Sequence, residues 1–288
     1  MTECTPQIPL FSIGKRKVTF APDGRMVGSD TGVLALSKID ERLGLSERLA
    51  GLLRDDRDPS RVVHTYEDQL RQRILQIACG YEDADDGDAL RLDPLFQLAL
   101  QRVPGEASSA LASQPTLSRF EQRENGELLR MSEAMVDVWI ERRQSRGSKA
   151  VRRVILDFDS TDDPTHGAQQ LSMFHGYYDQ HMYHPLVVFD EEGWPIAVVL
   201  RAGNAHASRG AVSVLLRIFE RIVNGLPADT EIIFRADAGF AIPEIYQMCE
   251  TLGIQYVIGQ ITNDRYKQHV SKAMDKARRQ FQATGEKA

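Results

Sequence analysis

The 288-residue sequence contains no run of about 18 consecutive apolar residues, the length that a membrane-spanning helix needs. Its N-terminus lacks a basic segment followed by an apolar one, so a secretory signal peptide is not predicted. Cysteine is scarce: the three cysteines are far apart and form no C-x-x-C pair, which indicates neither a disulfide framework nor a zinc ribbon. These absences predict a cytoplasmic protein without membrane contact.

A strong excess of positive charge is also absent, because 35 Lys and Arg residues stand against 41 Asp and Glu residues, a net charge of −6. That balance argues against a protein coated in nucleic acid. The distribution is uneven, however. Residues 261–288 carry 7 basic and 3 acidic residues, or +4, which leaves 28 basic and 38 acidic residues, or −10, in the first 260. A basic tail of this kind is typical of a local phosphate contact or of a solvated amphipathic helix.

The spacing of apolar residues divides the chain into two regions, with a predicted boundary at the Ser-Arg-Gly-Ser segment 145–148. Residues 1–148 are predicted to be mostly helical, since apolar residues recur at helical spacing after Gly32 and after Tyr66. Residues 149–288 alternate between short apolar runs and amphipathic segments. Three strands, then helix, strand, helix and strand, predict an α/β domain of the RNase H-like class, a mixed sheet with flanking helices.

One segment of the helical region, SQPTLSRFEQRENGE at residues 113–127, is the candidate DNA contact. A short helix at 95–102, a loop and a second helix that begins near Pro115 resemble a helix-turn-helix unit. The connection is longer than the usual 3–4 residues, so an ordinary helical bundle is the alternative interpretation. The side chains predicted to contact DNA in the first case are Thr116, Ser118, Arg119 and Gln122.

Two short apolar runs that each end in an aspartate carry the strongest functional signal. VRRVILDFDSTDDPTHG at residues 151–167 contains Asp159, and EIIFRADAGF at residues 231–240 contains Asp237. An aspartate at the end of a buried strand usually pairs, accepts hydrogen bonds or binds a metal, because its charge is otherwise costly. The two strands are neighbours in the predicted fold, so the carboxylates would meet. Oxygen ligands favour Mg²⁺ or Mn²⁺, which points to metal-assisted phosphoryl chemistry on nucleic acid.

Polar residues near these aspartates allow more than one interpretation. Asp157 shares a strand face with Asp159, so it could line the site or pair with Arg235. Asp162 and Asp163 are predicted to form the following turn. The next segment is rich in histidine and tyrosine and could form a metal cluster, but the absence of H-E-x-x-H spacing argues against one. Surface or core side chains are the favoured interpretation, and contact with DNA phosphates or with a flipped base is the alternative. The residues concerned are His166, His175, Tyr177, Tyr178, His181 and His184.

Four segments in order resemble the catalytic core of bacterial insertion-sequence DDE transposases, most closely the thirteen-eighty group: LDFDSTDDPTHG, FHGYYDQHMYHPLVVFD, LRAGNAHAS and FRADAGF. SQPTLSRFEQRE in the N-terminal half is similar to that group as well, so the resemblance covers most of the chain. It implies an enzyme that binds the terminal inverted repeats of its element. Such an enzyme hydrolyses the 3′ phosphodiester at each end and joins the 3′-hydroxyls to target DNA.

The resemblance also implies roles for particular residues and partners. Asp159 and Asp237 would be the first two catalytic acids and would bind Mg²⁺, for which Mn²⁺ can substitute. Residues 1–148 would form the DNA-binding region and residues 149–288 the catalytic core. The partners would be double-stranded DNA, as element ends and as target, and other copies of the chain assembled on that DNA. In a bacterial cytoplasm the protein would then associate with the nucleoid.

A third acid, which the resemblance implies as a glutamate on a later helix beyond a β-rich insertion, has no match. The chain stops at Ala288, 51 residues after Asp237, and Glu286 is too close to the end to be held by a helix. We therefore expect a C-terminally truncated transposase. The alternatives are a catalytically inactive DNA-binding remnant and an RNase H-like nuclease without a role in transposition. The large helical N-terminal half argues against the nuclease.

Overall fold

The structure is a computed structural model, and it describes residues 8–20, 28, 30–147, 151–167, 169–206, 208 and 210–285. The chain divides into two compact units, Met1–Val138 and Trp139–Ala288. Helices dominate the first unit, and strands alternate with helices in the second. The boundary predicted between residues 148 and 149 stays a prediction. No helix in the described ranges is long and apolar enough to cross a membrane.

The first unit opens with an antiparallel hairpin and continues as helices. Local signals fix two helix starts: Thr65 and Asp68 form a capping box at α3, and Asp93 caps α5 directly before Pro94. Apolar side chains from the hairpin and the helices form its core. The elements are β1 (Ile8–Ile13), β2 (Arg16–Phe20), α1 (Gly32–Leu43), α2 (Leu45–Ala50), α3 (Tyr66–Ala78), α4 (Asp86–Leu90), α5 (Pro94–Ala99), α6 (Gln114–Glu121) and α7 (Asn125–Ser145), whose residues from Trp139 onward are counted in the second unit.

The two helices predicted as a helix-turn-helix unit, α5 and α6, are far apart in the sequence. Helix α5 ends at Ala99 instead of residue 102, because Gln101 adopts a left-handed backbone with a φ of 59°. A 3-10 turn at Ala107–Ser109 interrupts the connection to α6. The two helices are thus joined by a longer segment than the 3–4 residues of that motif. Helix α6 buries Leu117 and Phe120 in the manner of an ordinary bundle helix.

The second unit is α/β and RNase H-like. Its main sheet has the strand order β10-β9-β3-β7-β8, in which β3, β7 and β8 are antiparallel neighbours, while β9 and β10 run parallel to β3. This mixed order confirms the predicted fold class. The elements are β3 (Arg153–Ser160), β4 (Asp163–Pro164), β5 (Met173–His175), β6 (Gln180–Tyr183), β7 (Leu186–Asp190), β8 (Pro195–Val199), α8 (Ala211–Gly225), β9 (Glu231–Ala236), α9 (Pro243–Leu252), β10 (Gln255–Ile258) and α10 (Asp264–Thr284).

A small sheet of strands β4, β6 and β5 lies between β3 and β7 in the sequence. We call it the inserted sheet. The sequence pattern predicts one strand over residues 183–190, but the structure divides that stretch between β6 and β7. The physical reason is Pro185, which has no N–H group to donate to a ladder. The residues before it pair with β5, and those after it pair with β3.

The core of the second unit lies on one face of β3. Every second residue of this strand is buried, and Phe158 packs its ring 5.9 Å from Phe234 and 5.0 Å from Phe240. Helix α8 begins at Ala211 rather than at residue 208, after Gly210 with a φ of 71°. The sequence spacing predicts an apolar face made of Val212, Leu215, Leu216, Phe219 and Val223. This prediction is partly wrong, since Leu216 and Val223 are 37% and 40% exposed. The buried side chains are instead Ala211, Leu215, Ile218, Phe219 and Ile222.

Candidate active site

Asp159 and Asp237 lie at the carboxyl ends of two adjacent strands. Strands β3 and β9 are parallel, and their last paired positions are Phe158 and Ala236, one residue before each aspartate. Both aspartates are exposed. Since the carboxyl ends of parallel neighbours meet at one edge of the sheet, the fold brings together the two acids that the sequence singles out.

Each of these carboxylates has one oxygen fixed by a backbone amide. The amide of Ser160 donates to Oδ1 of Asp159 at 2.7 Å, and the amide of Gly239 donates to Oδ1 of Asp237 at 2.9 Å. Asp237 thereby caps a 3-10 turn at Ala238–Phe240. Among the residues that the structure describes, none donates a hydrogen bond to Oδ2 of either aspartate. Both side chains therefore combine a fixed position with one oxygen that is open to a ligand.

Gly259 allows the backbone to approach Asp237 closely. Its amide donates to the carbonyl of Ala236 at 3.0 Å. A Cβ atom at this position would lie 3.0 Å from the amide nitrogen of Ala238 and 3.4 Å from the carbonyl carbon of Asp237. Sequence reasoning missed this role, because the contact depends on the pairing of β10 with β9. A glycine directly after a predicted strand is the only signal that could have suggested it.

Asp157 both lines the site and forms an ion pair. Its carboxylate accepts two hydrogen bonds from Arg235, at 2.6 Å to Oδ1 from Nε and at 2.5 Å to Oδ2 from Nη2. The two residues are partners in the β3–β9 register. The hydrogen bonds to Asp157 raise the pKa of Arg235. Because both oxygens of Asp157 are engaged, this residue supports the site without offering a free ligand atom.

An open groove runs along the face of β3 and β7 that carries Asp159. Its volume is about 580 Å³. Asp157 and Asp159 share this groove, as their spacing on one strand face predicts, whereas Asp237 is not among its lining residues. The other lining residues are Thr161, Val187, Phe189, Asp190, Glu191 and Gly193. Among the described residues, three of its four carboxylates are paired with arginines: Asp157 with Arg235, and Asp190 and Glu191 with Arg143. Asp159 is the carboxylate of the groove without an ion pair there, so its charge favours a bound cation.

Three rings of the inserted sheet and of the residues that adjoin it form a cluster: His175 in β5, Tyr178 in the turn between β5 and β6, and His184 directly after β6. The ring centroid of His175 lies 5.1 Å from that of Tyr178 and 4.9 Å from that of His184. Burial raises the pKa of Tyr178, and the negative charges of Asp162, Asp159 and Asp237 raise it further. The phenol is therefore a neutral hydrogen-bond donor at physiological pH, within the electrostatic reach of both candidate acids. The sequence favoured a surface or core role for Tyr178 and gave no signal for this placement.

The histidines do not gather into a metal-binding group in the described part of the chain. There, no three side chains of His, Cys, Asp or Glu are close enough together to hold an ion. Asp162, which was assigned to the turn, instead accepts a hydrogen bond from Nε2 of Gln180 at 2.9 Å. Glu286, the late glutamate of the sequence, lies outside the described residues. The candidate ligands that the fold brings together are thus two, Asp159 and Asp237.

His184 is buried, which leads to a prediction about pH. Its Nδ1 lies 2.8 Å from the carbonyl oxygen of Ala205. Burial lowers the pKa of His184, and the positive charge of Arg201 adds to this effect, although the bond to Ala205 opposes it. A histidine whose pKa is lower in the folded state binds its proton more readily when unfolded. The free energy of unfolding should therefore fall as the pH drops through about 6.5.

The measurement is urea unfolding at pH values between about 7.5 and 5.5, either side of the ordinary imidazole value. We expect the loss of stability on acidification to be smaller in His184→Gln than in the unaltered protein. His269→Gln, which changes an exposed histidine of α10, is the matched control. An equal pH dependence in the unaltered protein and both variants would contradict the prediction.

The predicted DNA-contacting side chains of α6 differ in exposure. Arg119 lies on the exposed side of the helix, and Gln122 is exposed directly after its last residue. Thr116 and Ser118 are half-buried, and the Thr116 hydroxyl lies 3.1 Å from that of Ser113. All four remain predictions as DNA contacts, with Arg119 and Gln122 the more accessible pair.

A family model described as transposase DDE domain group 1 matches residues 11–288. The chain belongs to this DDE transposase family. The match covers nearly the whole chain, including both strands that carry the candidate acids. The RNase H-like order of the main sheet agrees with this membership. No curated protein matches the DDE transposase chain.

Several solved structures are similar to this transposase at low identity. The simian T-cell lymphotropic virus intasome with PP2A regulatory subunit B56 gamma is 17% identical over 57% of this chain and 60% of its own, with a TM-score of 0.25. The Drosophila P element transposase strand transfer complex is 14% identical over 64% and 40%, with a TM-score of 0.26. The Mos1 mariner paired end complex with Mn is 14% identical over 83% and 79%, with a TM-score of 0.26.

Proposed function

We propose that this DDE transposase mobilises a bacterial insertion sequence of the thirteen-eighty group. It would bind the terminal inverted repeats of its element, cut the DNA strand at each end and join the new 3′-hydroxyls to target DNA. The observation that carries the proposal is the position of Asp159 and Asp237, at the ends of adjacent parallel strands, each with Oδ2 open.

The two aspartates fit a divalent cation with oxygen preference. Their donor atoms are carboxylate oxygens, which Mg²⁺ and Mn²⁺ bind in preference to softer ligands. The open Oδ2 atoms of Asp159 and Asp237 would hold the ion. When bound, it would polarise a phosphodiester and lower the pKa of an attacking water or hydroxyl.

The residues around the acids would keep them rigid and orient the substrate. The Asp157–Arg235 pair joins β3 to β9 two positions before the acids, so it limits their relative movement. The neutral hydroxyl of Tyr178 can donate a hydrogen bond to a phosphate oxygen near the site. In the first unit, Thr116, Ser118, Arg119 and Gln122 would contact the element end. Two ends must meet for joining, so copies of the chain would associate on DNA.

The test is cleavage of a duplex that carries the element's own inverted repeat, with and without Mg²⁺. Asp159→Asn and Asp237→Asn keep the side-chain size and remove one charge each. We expect each to reduce cleavage at least about a hundredfold, because the loss of even an outer partner of a metal ligand costs about 10–100-fold. Asp163→Asn is the matched control, since Asp163 is exposed on β4 and has no assigned role in the site.

The outcomes separate the possible functions. Full cleavage by Asp159→Asn or Asp237→Asn would show that the substituted carboxylate is not required. Cleavage that does not depend on the inverted-repeat sequence of the duplex would favour an RNase H-like nuclease. Tight binding of the inverted repeat without cleavage by the unaltered chain would favour a DNA-binding remnant.

A further inference from the structure

Helix α10 is the basic element of an acidic protein. It contains six Lys and Arg residues and two Asp residues, a net charge of +4, in a chain whose net charge is −6. Within its described range of Asp264–Thr284 it has no buried side chain. Its cations are therefore available to a partner along the whole helix.

The six cations fall into two groups by their partners. Lys267 pairs with Asp264 at 3.6 Å, and Arg278 pairs with Asp275 at 3.7 Å. The other four are exposed and form no ion pair with any residue in the described ranges. These four are Arg265, Lys272, Lys276 and Arg279, and we call them the basic stripe.

The basic stripe occupies one side of the helix. With 3.6 residues per turn, Arg265, Lys272, Lys276 and Arg279 project within about 60° of one another, and the row is about 21 Å long. The paired cations Lys267 and Arg278 project to the far side. The unpaired positive charge is thus concentrated in a straight line rather than spread around the helix.

Mutual repulsion of these cations has a free-energy cost that no ion pair among the described residues offsets. Lys272 and Lys276 are four residues apart, and like charges at that spacing destabilise a helix. A polyanion relieves the repulsion, and duplex DNA carries one negative charge per about 1.7 Å of its axis. The exposed apolar residues Met274 and Phe281 project to the side opposite the stripe, which is also the arrangement of helices that lie on anionic lipid, so lipid vesicles are the competing probe in the test. Membership of a DDE transposase family favours DNA as the polyanion.

We propose that the basic stripe of α10 binds the phosphate backbone of duplex DNA without reading its sequence. The proposal rests on the proposed function, because it names a surface through which the transposase would hold its DNA. Contacts of this kind position a protein on the duplex, whereas base contacts elsewhere give specificity.

The experiment compares two double variants that each remove two positive charges from the same helix. Lys272→Gln with Lys276→Gln alters the stripe, and Lys267→Gln with Arg278→Gln alters the far side. The probe is a labelled DNA duplex of arbitrary sequence, titrated at several salt concentrations in EDTA so that cleavage cannot intervene. Circular dichroism checks that both proteins keep their helices.

We expect the stripe variant to bind on the order of tenfold more weakly and its salt dependence to fall by about 1.8 in log–log slope, about 0.9 for each lost phosphate contact. The far-side variant should bind like the unaltered protein. Lys272→Arg with Lys276→Arg should restore binding, since the charges are retained.

Three results would overturn the proposal. If both Gln variants bind alike while the unaltered protein binds DNA, the stripe is not the contact, and the proposed transposase function stands. If the unaltered protein binds no duplex DNA, the proposed function fails together with the stripe. If it binds vesicles of anionic lipid in preference to the duplex, the stripe serves a different polyanion.

Discussion

Replacing Arg143 with methionine should lower the free energy of unfolding of the second unit by about 3–5 kcal/mol, the usual cost of removing one partner from a buried ion pair. The Arg143 side chain is only 2% exposed and lies 3.7 Å from Asp190, which is also buried. It donates to Glu191 at 2.5 Å. Methionine replaces the aliphatic part of the arginine side chain but carries no charge, so Asp190 would stay buried without its cation.

Other contacts hold Asp190 in place, so the loss of stability in Arg143→Met should come from the unpaired charge of Asp190 rather than from local unfolding. Its Oδ2 accepts from Nε1 of Trp139 at 2.9 Å, and its Oδ1 accepts from the amides of Glu192 and Trp194, both at 2.9 Å. The chain contains two tryptophans, and both belong to this unit. Tryptophan fluorescence during urea unfolding therefore reports on the second unit directly.

Arg146→Met is the matched control. Arg146 lies one turn further along and pairs with Glu192 at 2.6 Å, but its side chain is 42% exposed. Exposed ion pairs contribute about 0–1 kcal/mol, so this variant should unfold at nearly the same urea concentration as the unaltered protein. Equal effects of the two substitutions would mean that burial does not increase the contribution of Arg143 to the free energy of unfolding.

A methyl group at Gly203 should prevent the inserted sheet from packing. In Gly203→Ala the new Cβ atom would lie 1.9 Å from the carbonyl oxygen of Met182 and 2.5 Å from that of Met173. Both atoms belong to the backbone, so no side-chain rotation can relieve the overlap. We expect a loss above about 4 kcal/mol, in the range reserved for severe core or backbone disruption, together with loss of any cleavage that depends on Tyr178.

Gly176→Ala provides the comparison within the same part of the fold. A Cβ atom at Gly176 meets nothing within 4 Å, so this substitution should change stability by no more than about 0.5 kcal/mol. Urea midpoints and amide exchange at Met182 and Tyr183 measure both effects. Native exchange rates in Gly203→Ala would show that the close approach of the two segments is incorrect.

The sequence pattern predicts the main sheet well because its strands are apolar runs of ordinary length. The runs that end at Asp159 and Asp237 form neighbouring strands. The alternation of side chains along a strand placed Asp157 on the face of Asp159. Its pairing with Arg235 was one of the two interpretations that the sequence left open. Local rules of this kind need only the chain itself.

Features that depend on contacts between residues far apart in the sequence could not be predicted from it. The inserted sheet was missed because Tyr183, the last residue of β6, and the residues of β7 were interpreted as one strand across Pro185. The burial of Arg143 could not be predicted, since charged side chains are seldom buried unless paired, and its partners lie at the end of β7 and in the turn that follows it, far along the chain. Gly203 and Gly259 are constrained by backbone atoms of other segments, which the fold places beside them.

The inserted sheet has a consequence for how this protein can vary. It leaves the main sheet after Ser160 and returns at Leu186, and these two residues are direct partners on one rung of the β3–β7 ladder. The register of β3 and β7 therefore does not depend on the number of residues in the intervening chain. What constrains the insertion is its contact with the residues after β8, where Tyr183 bridges to Ala202 and Gly203 meets the backbone of Met182 and Met173.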